Sequence, residues 1–133
     1  FLTLIWVEKI KRETSFEAFK GLAKTEPIAA VVTAVSLLSM AGIPLTAGFV
    51  AKFSIFAQAM NGAAFLVLIA VIGSALSIAY YLRLIISMFF HKESSFKTSE
   101  KMSITYNIVA IFIIVAILAL GIYPDLFKMQ FGL

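Results

Sequence analysis

The stretch IAAVVTAVSLLSMAGIPLTAGFVAKFSIFAQAM, residues 28–60, decides how the rest of the chain is read, and it carries a single charge, Lys52. As one helix it would run about 50 Å, while the hydrocarbon layer of a membrane is about 30 Å thick. Gly42-Ile43-Pro44 stands near its middle. Pro44 has no N–H for the carbonyl of Met40, and its ring clashes there. Gly42 permits backbone angles that end a helix. The pattern predicts a discontinuous helix broken at Gly42-Pro44, with half-helices at 28–41 and 45–60 meeting near mid-membrane. Open backbone at that depth is tolerated only inside protein or beside water, so the break predicts a buried, hydrated spot. A plain proline kink in a tilted helix is the simpler alternative.

Working outward, the whole chain fits a lipid solvent. Of its 133 residues, 62% are apolar and 14% charged, against about 45–50% and about 25% in soluble domains. A chain this short keeps too much surface for such an excess to be a core. The composition excludes a soluble domain and a disordered one. After a turn signal at Asn61-Gly62, residues 63–90 form a second apolar stretch with one charge, Arg83, and residues 102–123 form a third with none. The apolar run 1–7 is too short to span and lacks the features of a signal peptide. The expected fold is all-α: a polytopic transmembrane helix bundle fragment of three full spans plus the tail of a fourth. The chain reads as the C-terminal part of one larger membrane domain.

Residues 8–26 form a charged segment in which Phe16, Phe19 and Leu22 recur at helical spacing, with Ser15 as N-cap and Gly21 near the end. That predicts a short helix lying in the membrane surface. This segment holds Lys9, Lys11, Arg12, Lys20 and Lys24, and the loop 91–101 holds Lys92, Lys97 and Lys101. Three alternating spans put both on one side, opposite the lone Lys128. The positive-inside rule makes the basic side cytoplasmic and leaves the C-terminus outside. The net charge of +4 and pI near 9.5 are thereby explained without nucleic acid. With no cysteine, thiolate-held metal and iron–sulfur sites are excluded from this chain.

Lys52 lies eight residues past Pro44. A charged lysine at the centre of a span costs about 2.5–3.5 kcal/mol on insertion scales. Giving up its proton at neutral pH costs an ordinary lysine about 4.6 kcal/mol. The costs are comparable, so such a residue is able to alternate between charged and neutral forms. Helical side chains lean toward the N-terminus, which lays the lysine stem over the turn of Gly48 and points it back toward Pro44. The first half-helix ends there with free carbonyls at the negative end of its dipole, suited to receive an ammonium. The alternative is a lysine that snorkels to the interface.

Other residues offer less. Arg83 reads as an interface anchor and His91 as a solvated residue bordering a polar loop, although both are weak candidates for proton transfer. Thr33, Ser36, Ser39 and Thr46 flank the break, where they would hold water or bond their own helix. Ala70, Gly73, Ser74 and Ser77 form a small-residue stripe that reads as helix packing, and Phe49, Phe53 and Phe56 as packing or lipid-facing surface. No metal-ligand cluster, phosphate loop or nucleophile–base pair is visible.

The run 21–56, and most specifically SLLSMAGIPLTAGFVAKF at 36–53, resembles the antiporter-like membrane subunits of proton-pumping NADH–quinone oxidoreductase (respiratory complex I), and subunit N among them. YYLRLIISMFF at 80–90 and LGIYPDLF at 120–127 are similar in kind and order to that family's last two segments. Through this resemblance Lys52 matches the lysine of the second broken helix, which would link a central relay to the outer exit. The sibling subunit M carries a glutamate there. The family's relay glutamate and further lysines would lie upstream.

The resemblance implies a proton-translocating subunit with no redox chemistry of its own. NADH, FMN, iron–sulfur clusters and quinone would belong to the other membrane-arm and peripheral subunits of a hetero-oligomer, in an energy-coupling membrane such as the bacterial inner membrane, with the C-terminus periplasmic. Two alternatives are a subunit of a multi-subunit sodium/proton antiporter and a structural bundle in which Lys52 is inert.

Overall fold

The computed structural model describes residues 2–11, 16–91 and 103–123. Ser15, Arg12, the basic residues of the 92–102 loop, and everything from Pro124 to Leu133, including Lys128, lie outside the described residues. All regular structure among those described is helical. Helix α1 spans Leu2–Lys11, and a 3-10 turn at Phe16–Phe19 leads to a single-turn α2 at Leu22–Thr25. Helix α3 follows at Pro27–Ala41, α4 at Ala47–Phe90 and α5 at Ile104–Ile122.

The element α4 is two helices in one run. Ala63 has non-helical angles (φ −142°, ψ 39°), and Lys52 and Ser74 on either side of it touch. In a straight helix those two residues would stand about 33 Å apart. The chain therefore reverses at the Asn61-Gly62-Ala63 turn, giving α4a (47–62) and an antiparallel α4b (64–90). The interrupted α3–α4a run, α4b and α5 are the apolar helices of the bundle, with α1 beside them. This is an all-α membrane helix bundle, as expected.

Pro27 opens α3 at its first turn, where a missing N–H costs nothing. The surface segment differs from the single short helix expected. Gly21 adopts left-handed angles (φ 72°) and donates its N–H to the Ser87 carbonyl of α4b at 3.2 Å. A helix cannot run through that residue, so it separates the 3-10 turn from α2. The turn and α2 press Ala18, Phe19 and Leu22 onto Met88, Val7, Ala29, Ala30 and Ala34, the one buried apolar cluster described. Beyond it the helices face outward with large apolar side chains, such as Phe65, Leu76 and Phe112. That exterior suits lipid or further helices, not water.

Candidate functional site

The break in the first span lies between Ala41 and Ala47. Gly42 takes left-handed angles (φ 85°) and donates to the Ser39 carbonyl at 3.0 Å, while Ile43 donates to the Leu38 carbonyl at 3.2 Å. This pair of bonds is the Schellman pattern, which stops a helix at a glycine. The break expected at Gly42-Pro44 is thus present, and Gly42 rather than Pro44 ends the helix. The helix has already stopped, and Pro44 sits exposed in the loop. Leu45 is the second strained point, with φ 73° at a non-glycine residue.

Ser39 and Thr46 do not stand free at this joint. The Gly48 N–H donates to Ser39 Oγ at 3.1 Å. A side chain in the last turn of α3 therefore caps the first turn of α4a, satisfying one of the orphan donors there. Thr46, 6% exposed, donates to the Ile43 carbonyl at 2.7 Å and holds the loop shut. Ser39 and Thr46, two of the four hydroxyls flanking the break, are thus each bonded to backbone.

Glycine makes the joint possible. A Cβ on Gly48 would stand 1.8 Å from the Ser39 carbonyl oxygen, and one on Gly121 of α5 would stand 2.2 Å from that of Leu45. Backbone meets backbone at both contacts. Gly121 lies in the last turn of α5, so the break is level with that end of α5, while Ser74, which the lysine at the break reaches, lies near the middle of α4b. Helix α3 runs 15 residues, about 22 Å, before Gly42 stops it.

Lys52, half-buried, points back into this joint. Its Nζ donates to the Ala41 carbonyl at 3.4 Å and to Ser74 Oγ of α4b at 3.2 Å. The direction matches the sequence expectation, but a different glycine clears the way. The lysine stem passes Gly42, whose absent Cβ would meet Cδ at 3.1 Å, while Gly48 faces Ser39. The ammonium rests against the C-terminal end of α3, where the helix dipole favours a cation. No carboxylate bonds to it among the described residues.

The remaining candidates lie apart from Lys52. Arg83 and His91 are both exposed on or just past α4b, about 13 Å and about 25 Å of helix beyond Ser74. Thr33 Oγ1 lies 2.7 Å from the Ala29 carbonyl and 2.9 Å from Thr3 Oγ1, which is 2.6 Å from the Tyr106 hydroxyl. These hydroxyls tie α1, α3 and α5 together beside a groove of about 530 Å³ that Ser36 also lines. Phe49 and Phe53 stack at 5.9 Å.

The small-residue stripe divides. A Cβ on Gly73 would meet nothing within 4 Å, Ser77 donates to the Gly73 carbonyl at 2.9 Å, and Ser74 turns to Lys52. Sequence reasoning had placed Ser74 in packing. Its equal spacing with Lys52 about the Asn61–Ala63 turn is the signal that would have found it.

Residues 1–77 match the family model described as NADH:quinone oxidoreductase/Mrp antiporter, TM. NADH-quinone oxidoreductase subunit N of Cytophaga hutchinsonii is 41% identical over 96% of this chain and 28% of its own length. The subunit N of Flavobacterium psychrophilum is 37% identical over 94% of this chain and 27% of its own. F(420)H(2) dehydrogenase subunit N of Methanosarcina mazei is 38% identical over 84% of this chain and 23% of its own. The chain thus spans under a third of the length of these curated relatives. Over that part, the chain belongs to the membrane-subunit family shared by NADH:quinone oxidoreductases and Mrp antiporters.

Proposed function

We propose that the chain is the proton-releasing portion of the membrane arm of an NADH–quinone oxidoreductase, with Lys52 as the group that takes up a proton from a relay and passes it to the outer side. The observation carrying this reading is the Lys52 ammonium bonded to the Ala41 carbonyl at an interrupted helix, with no carboxylate to fix its charge among the described residues. A lysine locked in an ion pair would hold its proton more firmly than one held by neutral hydrogen-bond partners. The position of the break beside the last turn of α5 supports release toward that end. The surplus of basic residues in 8–26 and 91–101 supports the opposite end as the cytoplasmic side, in a bacterial inner membrane with the C-terminus periplasmic. Electron transfer from NADH to quinone belongs to partner subunits, whose cofactors carry the chemistry. What reaches this chain is a change of charge along the membrane.

The test is proton pumping by the whole complex in sealed vesicles, driven by NADH and quinone. Lys52→Met is expected to cut pumping at least several-fold while the complex remains assembled. Lys52→Arg should fail to restore it, because a guanidinium does not release its proton. Normal pumping by Lys52→Met would leave the lysine a structural role only. The family model also covers Mrp antiporters; sodium-dependent proton movement without NADH or quinone would support that reading instead.

A further inference from the structure

We propose that Ser74 is the positioning residue for the Lys52 amine, holding it in both of its protonation states; this rests on the reading of Lys52 as a proton carrier. An ammonium has three N–H donors and no acceptor. Two donors are met, by the Ala41 carbonyl at 3.4 Å and by Ser74 Oγ at 3.2 Å, leaving one for a proton-transfer partner. Once the proton leaves, the amine gains a lone pair. The carbonyl can only accept, so it offers nothing to that lone pair. A hydroxyl can rotate and donate to it. Ser74 is thus the contact able to meet the new lone pair, while the Ala41 carbonyl can only go on accepting from an N–H that remains.

The hydroxyl of Ser74 is available for this. Serines in helices commonly donate to a carbonyl one turn back, as Ser77 does to Gly73 at 2.9 Å. Among the described residues Ser74 makes no such bond, and its proton is uncommitted. Register supplies the contact. Lys52 and Ser74 each lie eleven residues from Ala63, the reversal point of the α4 hairpin, so one inserted residue in the turn would rotate Ser74 about 100° off the lysine.

No ionisable side chain on a neighbouring element bonds to Lys52 among the described residues. Among the described residues α3 and the loop 42–46 have none, and α4a has only Lys52. On α4b, Tyr80, Tyr81 and Arg83 begin six residues beyond Ser74, and α5 has Tyr106 and Tyr123 near its ends.

The experiment compares Ser74→Ala, Ser74→Thr and Ser77→Ala in the assembled complex in sealed vesicles, reading protons pumped per NADH across pH. Ser74→Ala is expected to lower pumping several-fold. It should also move the midpoint of its pH dependence down by about half a unit or more, because a hydrogen bond to a charged group is stronger than a neutral one. Ser74→Thr should restore both, and Ser77→Ala should change neither. An unaltered rate and pH profile in Ser74→Ala, with Lys52→Met still defective, overturns the role of Ser74 and leaves that of Lys52 standing. Lower pumping at an unshifted pH profile, without rescue by threonine, overturns it as well, since packing alone would explain the loss. Normal pumping in Lys52→Met overturns the parent reading and this one together.

Discussion

The two ends of α3 are held in opposite ways. Near its start, Ala29, Ala30 and Ala34 pack with Val7, Phe19, Leu22 and Met88 in a side-chain cluster. At its finish, Gly42, Gly48 and Gly121 let backbone lie on backbone, and single hydroxyls close the joint. A side-chain core yields: neighbours shift, rotamers change, and loss is graded. A backbone contact does not yield, because there is no rotamer to move. The end that positions Lys52 is therefore the stiffer one, which would suit the proton transfer proposed for it.

The sharpest way to break this contrast is Gly48→Ala. Its Cβ would overlap the Ser39 carbonyl, so destabilisation of about 4 kcal/mol or more is expected, read as loss of the subunit from the membrane. Gly73→Ala on α4b, where a Cβ meets open space, is expected to fall within about 0.5 kcal/mol of wild type. Equal effects at the two glycines would show that the joint relaxes like any other packing. Met88→Ala comes next. Met88 is fully buried, and truncation should cost about 2 kcal/mol, the low end of the range for buried methionine, because lipid supplies little hydrophobic drive between helices. Thermal unfolding of the purified complex would check it, and a cost matching that of Gly48→Ala would erase the difference between the two ends.

The same contrast explains what the sequence disclosed. The interrupted span was legible because a 33-residue stretch with a single charge exceeds a membrane's thickness and a glycine stands near its middle. So was the direction of Lys52, since side chains on a helix lean toward its N-terminus. The cap from Ser39 to Gly48 was not. It joins residues nine apart across a loop whose path depends on two left-handed residues, and Leu45 gives no sign of being one of them. Gly121 was silent too, because its close approach to Leu45 exists only once α5 is docked. Gly21 looked like a helix end, yet its N–H is claimed by Ser87, a partner that periodicity cannot see.

A smaller cost than at Met88 is expected at Gly42, where stability and function should separate. Gly42→Ala forces a left-handed alanine, at about 1–2 kcal/mol, whereas Gly42→Asn should cost less, since asparagine enters that region more readily. Both add a Cβ about where the lysine stem runs, 3.1 Å from Cδ. That stem is flexible and will shift, so the overlap itself adds little to the unfolding free energy. The shift nevertheless draws Nζ away from the Ala41 carbonyl, which it reaches at only 3.4 Å. Gly42→Asn is thus expected to assemble almost normally and pump at a reduced rate, measured as protons moved per NADH in vesicles. Unimpaired pumping in that variant would mean that the lysine needs Ser74 more than it needs the end of α3. The joint would then serve to place α4a, and not to receive the charge.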